Sequence, residues 1–341
     1  MHALFAEDSP MKTRTALKTL IAAAVTTIAT SALLPAANAQ TVYPNKPIRL
    51  VIGFPAGGPL DQHARLLTDK LQSVLGQPII VDYKAGAGGI VGAQDVQKAA
   101  PDGYSIMLAN TGVMVINPGL YSKLPYKTTQ DFIPIARTAM QPLALLINPS
   151  VKANTLQEFV SYAKSNPGKV NYGSAGNGGI SHLVPEMFKA QTGLFMVHIP
   201  YRGSAPAFQD LMGGQVQFMA ESIPQAAQYH KQGKVRALAV TSRERNPALP
   251  DVPTVMETKL AKDFEVVGFY GFLAPAGTPK PIVDKLSDAF KQVLAMPDVR
   301  NRMVSQGADP AFLGADDFAK FINAELPKWA TAVQKSGAKL D

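Results

Sequence analysis

From Ile48 onward the chain alternates short apolar runs with segments whose apolar residues recur at helical spacing, which is the signature of an α/β fold. "IRLVIGF" reads as a buried strand, and "LDQHARLLTDKLQSVLG" as a helix that stops at Gly76. "PIIVDY" reads as the next strand, "IVGAQDVQKAA" as a second helix behind the glycine-rich "KAGAGG", and "YSIMLAN" as a third strand. Together they form a βαβαβ unit. A further apolar run, "PLALLINP", precedes "TLQEFVSYAKSNPG", where Thr155 and Glu158 fit a capping box that satisfies the free amides of a helix start.

The alternation then begins again. "KVNYGSA", "FMVHIP", "VQFMA" and "VRALAVT" read as strands, and "GGISHLVPEMFKAQTG", "SAPAFQDLMGG" and "IPQAAQYHKQG" as the helices between them. A proline-broken connection, "NPALPDVPTVMET", leads to the long apolar strand "FEVVGFYGFLAPAGTP". Three helices close the chain, the first expected to be capped by Thr278 with Pro279 in its first turn. Terminal helices after a second unit imply that the chain returns to the first, crossing near residues 142–150 and again near 262–273. The expected division is residues 40–145 with 266–341 as one lobe and 146–265 as the other. Two crossings make a hinge.

The first 39 residues stand outside this pattern. From Met11, a basic stretch with Lys12, Arg14 and Lys18 precedes an Ala/Leu/Thr-rich run and "ANA" at Ala37–Ala39, the form of a secretory signal cleaved after Ala39. The apolar run is broken by threonines and is shorter than the roughly 20 residues that span a bilayer. Export to the periplasm is therefore expected, and Met1–Pro10 reads as an upstream start. Removing 39 of 341 residues leaves 302, a comfortable length for two lobes.

The net charge of +8 is scattered and never forms a run, which fits weak attraction of anions and argues against a nucleic-acid face. With no cysteine, disulfides and thiol catalysis are excluded. The five histidines stand apart in sequence, none at metal-ligand spacing, so no metal or cofactor is expected.

The glycine-rich loops fail the sharp catalytic patterns. "FPAGGPLD" lacks the Lys-Ser/Thr of a phosphate loop, "YGSAGNGG" lacks the Gly-x-Ser-x-Gly of a nucleophile elbow, and "GAGGIVG" misplaces the last glycine of a dinucleotide fingerprint. What remains is geometric. At "FPAGGPLD" and at "YGSAGNGGISHL" a strand ends, glycines turn the backbone, and a helix begins with free amides, an arrangement that attracts carboxylates. One such loop per lobe suggests a clamp. Tight βα turns alone would use the same glycines.

Taken in order, "YPNKPIRLVIGFPAGGPLD", "AGAGGIVGA", "AAPDGYSIMLA", "INPGLYSKLPY", "NPGKVNYGSAGNGGISHL", "VHIPYRGSAPAFQDLMGGQVQFM", "KVRALAVTSRERNPALPDVPTVMET" and "GFLAPAGTPKPIVDKL" resemble the landmarks of the Bug-type receptors. These are the periplasmic solute-binding components of tripartite tricarboxylate transporters. The resemblance runs over residues 43–341 and implies a periplasmic-binding-protein fold of the Venus-flytrap, type II-like kind. It also implies a small aliphatic or aromatic carboxylate in the interlobe cleft, delivery to cognate membrane permease subunits, and a monomer with no enzymatic activity.

Carried over by position, the ligand-facing candidates of the first lobe are Pro55, Ala56, Gly57, Gly58 and Asp61, with Asp61 read as a helix cap ahead of an anion contact, and Thr111. In the second lobe Ser174, Ala175, Gly176, Asn177, Gly178 and Ser181 would hold a carboxylate through hydroxyl and amide donors. His182 has two readings, ligand contact or a packed helix residue. Tyr201, Arg202 and Gly203 match the family's "PYKG" turn, with Arg for Lys. Two positions depart from the family. Glu221-Ser222 replaces a frequent Asp-Asn pair, and Val113-Met114 replaces Thr-His. Glu221, turned inward, would disfavour a second carboxylate and prefer a hydroxyl or amine unless Arg202 paired with it. Val113 and Met114, if they faced the cleft, would form an apolar wall suited to an aromatic or medium-chain acid. The competing readings are a ligand sensor feeding a signalling system and a hydrolase using Ser174 or Ser181 with His182. The second lacks an identifiable chain of nucleophile, base and orienting acid.

Overall fold

The computed structural model describes residues 43–261 and 263–338. The expected signal peptide lies outside them. In chain order the elements of the first part are β1 (Ile48–Ile52), α1 (Pro59–Leu75), β2 (Ile79–Tyr83), α2 (Ile90–Gln97), β3 (Ser105–Asn110) and β4 (Phe132–Gln141). The next part holds β5 (Leu143–Ile147), α3 (Leu156–Ser165), β6 (Asn171–Ser174), α4 (Ile180–Thr192), β7 (Val197–Pro200) and α5 (Ser204–Gly213). It ends with β8 (Phe218–Ser222), α6 (Ile223–Lys231) and β9 (Arg236–Val240). The chain then returns through β10 (Gly268–Pro275), α7 (Lys280–Ala295), α8 (Pro297–Ser305), β11 (Asp309–Gly314) and α9 (Ala315–Ser336).

Two mixed sheets result. One has the order β11-β4-β10-β3-β1-β2 and the other β7-β6-β8-β5-β9. β1 pairs in parallel with both β2 and β3, so all three strands end on the same edge of the first sheet. β6 likewise pairs in parallel with β7 and β8. These are the edges at which α1, α4, α5 and α6 begin, and ligands of open α/β sheets bind at such carboxyl edges.

The sequence boundary after residue 145 needs correcting. Leu143, Ala144 and Leu145 already pair with β8 and β9, so the chain changes sheets at Pro142, directly after β4 ends. The return runs later than the boundary at 266. Val266 is still tied to the second sheet through its amide, which donates to Thr241 O at 3.1 Å, and β10 joins the first sheet only at Gly268.

Local chemistry explains most element ends. Gly76 closes α1 in the left-handed conformation with φ 72° and donates to Gln72 O. At α3 the Thr155 hydroxyl accepts from the Glu158 amide at 3.1 Å, and the Glu158 carboxylate accepts from the Asn154 amide at 2.6 Å. Thr278 behaves differently from expectation. Its hydroxyl donates back to Pro275 O at 2.8 Å, and Pro279 is the cap of α7.

The glycines of "GAGGIVG" serve packing. A Cβ on Gly53 would lie 2.7 Å from Gly89 Cα, and one on Gly92 would lie 2.8 Å from Gly53 Cα. The start of α2 is thus pressed against the chain leaving β1, closer than any side chain permits. α9 packs into the same apolar cluster as α2 and lays Phe318 over Gly271, where an added Cβ would fall 2.3 Å from the ring. Phe318 and Trp329 of α9 are fully buried in the largest apolar cluster, which draws residues from both sheets.

Candidate functional site

A cleft of about 670 Å³ opens between the two sheets. Gln141, Pro142 and Leu143 of the first crossing lie on its wall, with Tyr270 of the returning strand. Four helices present their first turns to it: Pro59 and Gln62 of α1, Ile180 and Ser181 of α4, Ser204 of α5, and Gln225 of α6. None of these helices has a side-chain cap, and three start after glycine, at Gly58, Gly179 and Gly203. Uncapped first turns leave amides that need an acceptor, and the helix dipoles add a positive potential. No lysine or arginine is on the wall. The wall offers backbone amides and neutral side chains, with Glu221 as its one charged residue.

Several of the residues expected from sequence are on this wall: Ala175, Gly176, Asn177, Ser181 and Glu221. Ser181 also shapes the loop, its hydroxyl accepting from the Ala175 amide at 3.0 Å. Thr111 and Gly178 line an adjoining cavity of about 220 Å³ that shares Asn177, Ile180 and Gln141 with the main cleft.

Other expected residues lie behind or beside the cleft. Asp61 is buried and is saturated by three donors: the Gly57 amide at 2.7 Å, Arg65 Nε at 2.9 Å and the Tyr83 hydroxyl at 2.6 Å. Burial pushes its carboxyl up, but these hydrogen bonds outweigh burial and hold it below the ordinary carboxylate value. Asp61 therefore fixes the loop of Pro55, Ala56, Gly57 and Gly58, none of which is on the wall; Pro59 and Gln62 take that place. Tyr201 donates its hydroxyl to Asp210 at 2.7 Å, the Gly203 amide bonds Ala175 O at 3.2 Å, and Arg202 is exposed beyond the wall.

Ser174 and His182 form a buried support. The Ser174 hydroxyl is 2.6 Å from His198 Nε2 and also accepts from the Gly176 amide at 3.2 Å, while its side chain is fully buried. His182 Nδ1 accepts from the Gly178 amide at 3.0 Å, which places the proton of the neutral ring on Nε2. The rings of His182 and His198 stack at 3.8 Å and 7°. Sixteen residues apart in sequence, the two read as isolated; strand β7 beside β6 brings them together. Burial lowers both imidazoles, His198 to about 3 with help from His182 and Lys189, so the pair is neutral and the loop 174–178 rests on uncharged acceptors. Among the described residues no carboxylate is hydrogen-bonded to either ring, the Ser174 hydroxyl is buried, and Ser181, on the cleft wall, bonds the Ala175 amide and not His182.

Val113 and Met114 do not form the expected apolar wall. Both are buried in the main apolar cluster, Val113 against Gly89, and neither lines the cleft or the cavity adjoining it. Of the residues missed in sequence, Gln141, Gln225 and Gln306 are single polar positions with no motif around them, whereas Gln62, Ser204 and Tyr270 adjoin or lie within motifs in which they do not stand out. Ser204 alone had a signal, as the first residue after the glycine that caps α5.

Comparison with known proteins gives a consistent result. A family model described as "Tripartite tricarboxylate transporter family receptor" matches residues 63–338. Protein BugT of Bordetella pertussis is 35% identical over 314 residues, covering 92% of this chain and 96% of BugT. The structure of the periplasmic binding protein BugD aligns with a TM-score of 0.71 at 38% identity, over 87% of this chain and 100% of that one. R. palustris Rpa4515 with adipate aligns at 0.76 and 30% identity, over 87% and 100%. MatC from Rhodopseudomonas palustris with bound malate aligns at 0.70 and 34% identity, over 85% and 100%. The fold they share is the two-lobed one of periplasmic binding proteins.

Proposed function

The chain belongs to the tripartite tricarboxylate transporter family of receptors, and from that premise we propose that it binds a small aliphatic or aromatic carboxylate between its two sheets and delivers it to membrane permease subunits. The family is one of periplasmic solute receptors, and its members are binding proteins, not enzymes. For this chain the reading includes export with cleavage after Ala39 and action as a monomer in the periplasm.

The observation that carries the reading is the convergence of four uncapped helix starts, from both sheets, on one cleft without a basic side chain. Such a site stabilises a carboxylate through several amides at once, each hydrogen bond to the charged group contributing roughly 1.5–3 kcal/mol. The relatives solved with adipate and malate hold acids of the expected size. With Val113 and Met114 in the core, the hydrocarbon part of the ligand would meet Tyr270, Pro142, Leu143 and Ile180 instead.

A thermal-shift screen of mono-, di- and tricarboxylic acids on the exported protein tests this. At a hundredfold excess over its dissociation constant a specific acid stabilises the protein by about 2.7 kcal/mol, and at least one acid is expected to do so. No response to any carboxylate, with a response to neutral or purely cationic solutes, would overturn the reading.

A further inference from the structure

A column of three rings stands behind the loop that follows β6. Tyr172 of β6 lies against His198 of β7 with centroids 4.8 Å apart at 18°, and His198 lies against His182 of α4 at 3.8 Å and 7°. Tyr172 is fully buried and His182 is 3% exposed. The column is tied back to α4, because the Tyr172 hydroxyl donates to Glu186, one turn beyond His182, and Lys189 Nζ donates to the same carboxylate oxygen at 2.6 Å.

Each imidazole holds one end of the loop. His182 Nδ1 accepts from the Gly178 amide at 3.0 Å. At the other end the Ser174 hydroxyl is 2.6 Å from His198 Nε2, accepts from the Gly176 amide at 3.2 Å, and is 3.1 Å from Gly176 O. A hydroxyl has one proton to give. Given to Gly176 O, it leaves the oxygen open to accept from His198, so every contact is met when His198 carries its proton on Nε2. Among the described residues neither the Gly176 nor the Gly178 amide has a backbone acceptor. The side chains are therefore what holds this part of the loop, and Ala175, Gly176 and Asn177, between the two attachments, line the cleft while both imidazoles stand off its wall.

A loop that becomes ordered only when ligand arrives loses affinity to the entropy of ordering. We propose that His182 and His198 are positioning residues that hold loop 174–178 in its ligand-ready shape in the free protein, and that their stacking makes the two attachments one unit. The inference rests on the reading of the cleft as a carboxylate site and adds what keeps that site in shape.

Amide hydrogen exchange followed by NMR on the ligand-free protein tests it. The Gly176 and Gly178 amides are expected to exchange at least roughly a hundredfold more slowly than unprotected amides, and ring ¹⁵N shifts are expected to show both imidazoles neutral with the proton on Nε2. His182→Phe is expected to release the Gly178 amide, and His182→Asn, which keeps an acceptor near the Nδ1 position, to restore its protection. His198→Phe is expected to release the Gly176 amide, and His198→Gln, which keeps a donor near the Nε2 position, to restore it. His198→Ala also removes the stack, so the Gly178 amide is expected to speed up although His182 is intact. The amides of β8, the central strand of this sheet, are expected to keep their protection throughout. Fast exchange of Gly176 and Gly178 in the unaltered protein, or a proton on His182 Nδ1, would overturn the inference without any variant. Equal loosening of β8 in the Phe variants would also overturn it, since the rings would then serve stability alone. In calorimetry both Phe variants are expected to bind whichever of malate, adipate and benzoate the unaltered protein binds at least about tenfold more weakly; unchanged affinity would sink the positioning role. Binding of none of the three acids, with both amides protected, counts against the carboxylate reading and leaves the held loop standing.

Discussion

Lowering the pH from about 7.5 to about 4.5 is expected to remove about 3 kcal/mol of folding stability through His63 alone. His63 on α1 is 2% exposed; its Nε2 contacts the Thr138 hydroxyl at 2.8 Å, its ring lies against Tyr270, and its Nδ1 has no partner. Burial lowers its pKa from 6.5 to about 3. The unfolded chain takes up a proton as pH falls below 6.5, whereas the folded chain stays neutral until near 3, so acid favours unfolding throughout that window. The stability is present above the unfolded value and is lost as pH descends toward the folded one. Urea unfolding at both pH values, compared with His63→Phe, isolates the histidine from the carboxylates that titrate in both proteins. The unaltered protein is expected to lose more stability than the variant by roughly that amount, and parallel losses would remove His63 from the account.

Gly307→Ala is expected to weaken ligand binding by about 1–3 kcal/mol, or roughly five- to 150-fold. Gly307 links α8 to β11 on the first sheet, lines the cleft, and touches Pro224 of α6 on the second. An added Cβ would sit 2.2 Å from the proline ring, so the two rims must move apart. On the opposite rim Gly178 meets Leu120 in the same manner, with only 2.4 Å for a Cβ. A site assembled from helix starts on both sheets weakens when its rims separate. Gly307 also has φ +74°, so the control is Gly233→Ala, at φ +68° with no atom within 4 Å. Calorimetry should show the control near normal affinity and Gly307→Ala well below it. Equal affinities would mean that rim contact does not contribute to binding.

The two α/β units were legible because β5 is a continuous apolar run between Pro142 and Asn148, because β1 and β3 are apolar except for Arg49 and the terminal Ser105 and Asn110, and because α1 and α3 carry end signals readable in sequence, Gly76 and Thr155. β4 and β11 were not. β4 contains Pro134 and Arg137, and β11 reads "DPAFLG", with Pro310 in an edge strand where the missing amide costs no ladder bond. β4 is held by β10 and β11 on its two sides, and β11 pairs with β4 alone, a non-local cause that local pattern does not carry. The site divides in the same way. Gly176 and Asn177 of the loop after β6, and Ser181 in the first turn of α4, lie where their position beyond a strand end puts them. The polar wall from Gln141, Tyr270 and Gln306 comes from three distant segments. Ser174, with its hydroxyl toward His198, and Val113, with its side chain toward Gly89, show that matching a motif position does not fix which way a side chain points.

The most direct test of the central claim is a crystal structure of the exported protein with the acid that gives the largest thermal shift. The expected result is a ligand between the two sheets whose carboxylate oxygens accept from backbone amides at the starts of α4 and α5, near Ile180, Ser181 and Ser204. An acid held outside this cleft, or held by lysine or arginine side chains with those amides unengaged, would contradict it.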